Sequence, residues 1–445
     1  MELTPKTYQK VSKFGVNSKL LLKYIYKYTH FIYANRLLWG KMQKYVNRPE
    51  YLDFLKRWQN RQIIKVVSGV SRAGKSTLFY LFRNYLKEHE GVKEEQFISI
   101  NFENMKYDNL RNAQNLYDYL ENKIVPDQMN YIFLDEIQHV KEFERVVDSL
   151  FLKDNVDIYL TGSNAYFLSS EIATLLTGRY VELKILPLSF SEFVAWHKQN
   201  DKFTNNDDMF NKYLESSFPY TLFIDTPKER NEYLQGVYST IVLTDIVSRL
   251  NIKDTPVLER VIQSLYSSIG SQVSINKITN TLKSAGYSSS NKTVDRYLGG
   301  ILDSLLMYKA KRYDIHGHQL LNSQSKYYGV DMGIRNILLP DHQEDFGHII
   351  ENIVYLELLR RNKAVYVGES NKYEVDFIGI NDMNELSYYQ VALTTMDEKV
   401  LKRELRSLEQ TRDSYPKYLL TLDTINRTAN YNGIQKLNLI DWLLN

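Results

Sequence analysis

The residues best equipped for chemistry fall in two stretches about sixty positions apart. Gly69, Val70, Ser71, Arg72, Ala73, Gly74, Lys75, Ser76 and Thr77 follow the spacing G-x-x-x-x-G-K-[ST]. Polyphosphate chemistry accounts for those types. Glycines let the backbone curl so that its N–H groups face phosphate oxygens, and a helix starting there adds the positive end of its dipole. In such a loop Lys75 reaches the β- and γ-phosphates and the Ser76 hydroxyl ligates Mg²⁺. The second stretch, YIFLDEIQ, is an apolar run ending in Asp135 and Glu136. An acid at the end of a neighbouring strand holds the Mg²⁺ shell, which assigns Asp135. Glu136 then polarises a water for attack on the γ-phosphate. Further on, DIYLTGSNA ends in Ser163 and Asn164, where a polar side chain senses the γ-phosphate or the water. TLLTGRY supplies Arg179 to neutralise transition-state charge, in cis or from a neighbouring subunit; an ordinary salt bridge is the alternative.

The elements that must position these residues are legible as alternation. Short apolar runs at Ile63–Ser68, Phe97–Asn101, Tyr131–Asp135, Asp157–Thr161 and Tyr180–Leu183 predict strands, and the longer stretches between them read as helices. That pattern predicts an α/β parallel sheet with the phosphate loop between a strand and the helix TLFYLFRNYL. The chain has 445 residues, enough for about three domains. The divisions read as a basic aromatic extension (1–46), an ATPase-type domain (47–200), a helical region with a further module (201–330) and a C-terminal domain (331–445).

Composition excludes several classes. The 56 Lys+Arg nearly balance the 53 Asp+Glu, so any footprint for nucleic acid must be local. With no Cys there are no disulfides, thiolate metal sites or cysteine nucleophiles, which fits a reducing cytoplasm. Residues 20–39 look apolar, but Lys23, Lys27, His30 and Arg36 interrupt them, which argues against a membrane span. No signal peptide is expected either. In residues 1–46 Glu2 is the only acid. The segment reads as an arm for nucleic acid or a membrane surface, as a packing helix, or as a dispensable leader before Met42.

Taken in order, RPEYLDFLKRW, GVSRAGKSTL, YIFLDEIQ, LTGSNAYFLS, TLLTGRYVELKILPLSFSEF, YSTIVLTDIVSR, KYYGVDMGIRN, ENIVYLELLRR and YEVDF resemble the prokaryotic AAA-superfamily ATP-binding proteins, a group of largely unassigned function. The resemblance implies a P-loop NTPase sheet of AAA type, a winged-helix module and a restriction-endonuclease-like α/β domain. It also implies ATP and Mg²⁺, with hydrolysis coupled to the terminal domain. Relatives often carry two arginines in the loop, where this chain has Ser71 and Arg72. Helix, turn, helix and strand pair over Val273–Asp314 fit the winged helix, with Lys292 and Arg296 as phosphate contacts to duplex DNA or as solvated charges. A protein partner is the other reading, and an oligomer is compatible. His316 and His318 are read as turn residues. Against the nuclease pattern, Glu351, Asp376 and Gln390 match, so Glu351 and Asp376 can hold a second Mg²⁺. Ala392 stands where Lys is expected; Glu374 adds only a carboxylate, and Lys363 and Lys372 are the nearest lysines in sequence. The expectation is a domain that does not cleave.

Overall fold

The computed structural model of the chain describes residues 45–163, 176, 178–340, 346–370 and 373–445. The extension through residue 44, Asn164 and Lys372 lie outside the described residues. Arg48–Val194 and Thr204–Asn445 form one compact unit holding both sheets, and Ala195–Phe203 belongs to a second unit.

Five apolar runs form β1 (Ile64–Ser68), β2 (Phe97–Asn101), β3 (Asn130–Asp135), β4 (Val156–Gly162) and β5 (Tyr180–Lys184). These agree with the expected strands to within about one residue at either end. Their order is β2-β3-β4-β1-β5, with every pair parallel. Parallel neighbours require crossover helices, which cover both sheet faces and make the strands apolar throughout. Successive side chains still choose opposite faces. Ile132 and Leu134 pack with Leu116, Leu120, Val147 and Leu150 of the helices Ala113–Glu121 and Phe143–Phe151. Phe133 turns the other way and stacks on Tyr159 at 4.8 Å, against Phe79 and Phe82 of the helix Lys75–His89. Truncating a fully buried ring such as Phe82 costs about 3–5 kcal/mol, so this layer fixes the helix that carries the loop. Because all five strands run one way, Ser68, Asn101, Asp135 and Gly162 end at the same edge. Ligands bind at that edge in open α/β sheets.

The region after the sheet is mainly helical, as its periodicity predicts. Helices occupy Asn206–Glu215, Pro227–Thr240 and Thr255–Ser267, with a π-helical turn over Ile241–Ser248. Helices Ile275–Ser284 and Asn291–Asp303 flank a break at Gly286, whose φ of +85° favours glycine. The strand before them and the eight after them form a nine-stranded sheet in the order β13-β14-β12-β11-β10-β9-β7-β8-β6. Its strands are β6 (Gln272–Val273), β7 (Met307–Asp314), β8 (Gln319–Gly329), β9 (Ala364–Ser370), β10 (Tyr373–Ile380), β11 (Leu386–Ala392), β12 (Lys417–Thr421), β13 (Ala429–Tyr431) and β14 (Ile434–Asn438). The boundary drawn at residue 330 is crossed by this sheet: Arg312–Asp314 of β7 pair in parallel with Val367–Glu369 of β9. The hairpin edge would otherwise expose unpaired backbone groups, and the C-terminal strands cover it. Strands β12 to β14 and the helix Leu439–Leu444 extend the sheet beyond the elements read from sequence. Among the described residues no helix is long and apolar enough to cross a membrane.

Candidate functional site

The loop between β1 and the helix Lys75–His89 is shaped by close approach and by positive φ. At Gly69 a Cβ would lie 2.4 Å from the Ile185 carbonyl oxygen, so no larger residue fits where the chain leaves β1. Gly74 at φ +103° and Arg72 at +70° curl the backbone into the helix. That helix starts with no side-chain cap and no acid in its first turn. By contrast Asn112, Asn205, Thr226, Ser274 and Ser290 cap the helices that follow them. An uncapped N-terminus beside a glycine loop offers its N–H groups and dipole to an anion. Val70 and Ala73 are buried beneath the loop, while Arg72 and Ser76 are exposed.

Lys75 is buried and folds back, donating to the Gly69 carbonyl at 3.0 Å and standing 3.3 Å from Glu136 Oε1. Asp135 accepts from Asn101 Nδ2 at 2.8 Å and from the Thr161 and Ser76 hydroxyls. Burial pushes the Asp135 carboxyl up, and the Ser76 and Thr161 donors only partly oppose this. Glu136 has φ +54°, a left-handed conformation that non-glycine residues adopt mostly where the surroundings impose it. Its N–H donates to Thr161 Oγ1 at 2.8 Å, so Thr161 joins the two acids. Burial pushes the Glu136 carboxyl up, but Lys75, the Gln138 amide at 2.5 Å and Ser163 together hold it below the usual carboxylate range. A group held ionised beside a lysine can accept a water O–H, and it becomes the stronger base once the lysine turns to phosphate.

The donor set fits a Mg²⁺-bound polyphosphate. No group of three or more His, Cys, Asp or Glu side chains able to hold a metal occurs among the described residues. Ser76 and Asp135 would therefore share the ion with phosphate oxygens and water, as this hard cation prefers. A cavity of about 330 Å³ opens beside this pair, lined by Phe79, Tyr80, Arg83, Asn101 and Tyr107.

A family model described as an AAA domain matches residues 61–194, and one described as a domain of unknown function matches 206–345. An uncharacterized protein of Haemophilus influenzae is 37% identical over 401 residues, covering 90% of this chain and 98% of its own. The uncharacterized protein MJ1544 of Methanocaldococcus jannaschii is 31% identical, covering 85% of each chain. The chain belongs to one family with these two proteins, and its residues 61–194 form an AAA domain. Among solved structures it is similar to the Walker-type ATPase PABY2304 of Pyrococcus abyssi, at 15% identity and TM-score 0.44, covering 67% of this chain and 97% of that one.

Within the AAA domain the structure brings Lys75, Ser76, Asp135, Glu136 and Ser163 together. Arg179 is a correction. It immediately precedes β5, beside the first residue of β1, whereas the loop leaves the last. Five residues of strand span about 17 Å. Arg179 instead pairs with Asp148 and lies over the Phe151 ring, so it does not reach the site in cis. Three contributors were not read from sequence. Thr161 joins the acids. Arg48 binds Glu192 through two 2.9 Å bonds while donating to Ala73 O at 3.1 Å and Leu186 O at 2.9 Å. Asp245 of the π-helical turn feels the charges of Glu136 and Lys75. Its motif YSTIVLTDIVSR carried the family resemblance, which was the available signal.

In the C-terminal region Glu351, Glu374 and Asp376 do converge, but around a lysine that sequence neighbourhood did not indicate. Lys326 of β8 lies 3.0 Å from Glu351 and 2.8 Å from Glu374, and its charge also acts on Asp376. Tyr328 donates to Glu351 at 2.6 Å, Gln272 to Glu374 at 2.9 Å, and the Val391 N–H to Asp376 at 2.8 Å. Burial and Glu351 push the Asp376 carboxyl up. Asp376 falls at a β-bulge between β9 and β10, a device that re-aims side chains. Gln390 Oε1 accepts from the Asp376 N–H at 3.3 Å. Lys363 instead binds Asn384. His316 and His318 lie in the β7–β8 turn. Lys292 and Arg296 are exposed, and Lys292 lines a 650 Å³ cleft with Asn276, Lys309 and Gln324.

Proposed function

We propose that the chain binds Mg-ATP, hydrolyses it, and passes the change to its C-terminal half. One observation carries this reading: a buried Lys75–Glu136 pair 3.3 Å apart over an uncapped helix start. Arriving phosphates compete for Lys75, whose transfer to them leaves Glu136 without its partner and next to the γ-phosphate. Glu136 then takes a proton from water; Ser76 and Asp135 would hold the shell of a bound Mg²⁺, which would offset phosphate charge. The supporting contact for coupling is the segment after β5. Arg48 ties Leu186 O to the loop at Ala73, and Arg360 of the helix Phe346–Arg361 donates to Pro187 O at 2.8 Å and Leu188 O at 3.1 Å. The two arginines thus join the phosphate loop to the C-terminal helix.

The C-terminal cluster supports a domain that does not cut DNA, because Lys326 already pairs with two of the three carboxylates that would collect a metal. Exposed Lys292 and Arg296 support duplex DNA as the partner, and a protein partner is the alternative. Arg179 remains available to a neighbouring subunit. Nucleotide binding tests the site: Glu136→Gln should bind a fluorescent ATP analogue as well as wild type, and Lys75→Ala should not. Equal loss in both would make Glu136 structural.

A further inference from the structure

Asp245 is buried at 8% exposure, and its Oδ2 has no hydrogen-bond partner among the described residues. A structural carboxylate at that depth would be saturated with donors, as Asp331 is by Ser216, Ser217 and the Ile334 N–H. The groups whose charges act on Asp245 are those of the ATP site, Glu136 and Lys75, and the Ser163 hydroxyl donates to it, with Arg249 one turn along its own segment. Ser163 also serves Glu136, so the two carboxylates flank a single hydroxyl.

The position is built rather than slack. Ile241–Ser248 is π-helical, a geometry that is rare and concentrates at functional sites. The turn is pressed against the helix Asn291–Asp303 at Gly300, where a Cβ would lie 2.5 Å from Leu250 Cδ1 and 3.2 Å from Ile246 Cγ2. Arg249 pins it further, donating to Asp245 O at 3.1 Å and Asp303 Oδ2 at 3.0 Å.

We propose that Asp245 is a second water-orienting carboxylate of the ATP site, delivered by the π-helical turn and acting beside Glu136. Two acceptors that flank one point are matched by a donor with two hydrogens, and the attacking water is such a donor. One O–H points at Glu136 and the other at Asp245, which aims the oxygen lone pair at the γ-phosphorus. The water oxygen forms its bond to that phosphorus as the bond to the β,γ-bridging oxygen breaks, and the electron pair leaves with ADP. The proton facing Glu136 passes to it and then to inorganic phosphate; the proton facing Asp245 stays on the transferred oxygen. In its ionised form Asp245 has no hydrogen to offer a γ-phosphate oxygen, which favours water for this place.

This inference rests on the hydrolytic reading, and the test separates the two. Asp245→Asn and Asp245→Ala are compared with wild type and Glu136→Gln in steady-state phosphate release, in binding of a fluorescent ATP analogue, and in melting without nucleotide. The expected result is a fall in kcat of about 100-fold at unchanged KM and analogue affinity, the scale of lost reactant alignment. Asp245→Asn without nucleotide should melt no lower than wild type. Full turnover in both variants overturns the inference alone. So does a melting temperature below wild type in Asp245→Asn, or affinity lost in step with kcat, since either makes Asp245 a structural anchor. Wild-type protein that binds ATP without turnover overturns both.

Discussion

Replacing Asp245 with Asn should stabilise the protein at neutral and alkaline pH. Burial first, and then the Glu136 charge, raise the Asp245 carboxyl from its ordinary 3.8 to about 7, against the opposing pull of Lys75, Arg249 and Ser163. A raised carboxyl means the native state holds a proton that the unfolded chain has released. Stability therefore falls as pH climbs from about 4 to about 7 and then levels. The gap is about 3 pH units at about 1.4 kcal/mol each, so the full penalty is about 4 kcal/mol at pH 8 and about 2 kcal/mol at pH 5. Asn does not ionise and escapes it. With about 2.1 cal/mol/K of unfolding entropy per residue over 445 residues, 4 kcal/mol is a rise in Tm of about 4 °C. Thermal unfolding of both proteins without nucleotide, at pH 5 and pH 8, reads it directly. A variant less stable than wild type at pH 8, or an advantage of equal size at both pH values, would refute the reasoning. Lost turnover alongside higher stability is the trade expected of a group kept for chemistry.

Other consequences follow from the same contacts. Lys326→Met should cost about 3–5 kcal/mol in urea unfolding, because Glu351, Glu374 and Asp376 would face one another without their cation. Unchanged stability would show that the cluster is not held by that charge. Plasmid incubated with Mg²⁺ or Mn²⁺, with and without ATP, should stay intact; nicking that disappears in Asp376→Ala would make the domain an active nuclease. Duplex DNA affinity should fall steeply with salt, and removing Lys292 and Arg296 together should lower the log–log slope by about 2. A salt-insensitive interaction would point to a protein partner instead.

The ATP site was legible in sequence because its chemistry is local. The loop residues from Gly69 to Thr77 are contiguous, and Asp135–Glu136 end a strand whose apolar run is hard to read otherwise. For Arg179 strand direction removes only the reading in cis: a residue just before a parallel strand lies at the opposite end of the sheet from the loop. Thr161 and Arg48 act through contacts 25 residues distant in the chain, and Asp245 feels a charge 109 residues away, which no periodicity encodes. The π-helical turn is equally silent, since a continuous helical pattern over YSTIVLTDIVSR fits either winding. Lys326 is not indicated by proximity in sequence, which offers only Lys363 and Lys372, whereas the sheet folds β8 back against the carboxylates. The divide at residue 330 failed because β7 and β9 are joined by hydrogen bonds between backbones, invisible to composition.

The central claim is that the buried Lys75–Glu136 pair over the phosphate loop is a hydrolytic site. Phosphate release from full-length protein with Mg-ATP tests it most directly, with Lys75→Ala and Glu136→Gln in parallel. Wild type should turn over ATP, and both variants should fall to background, Lys75→Ala through lost binding and Glu136→Gln with binding intact. Turnover that persists in Glu136→Gln, or wild-type protein that holds ATP without releasing phosphate, would contradict the claim and leave a nucleotide-gated binding module.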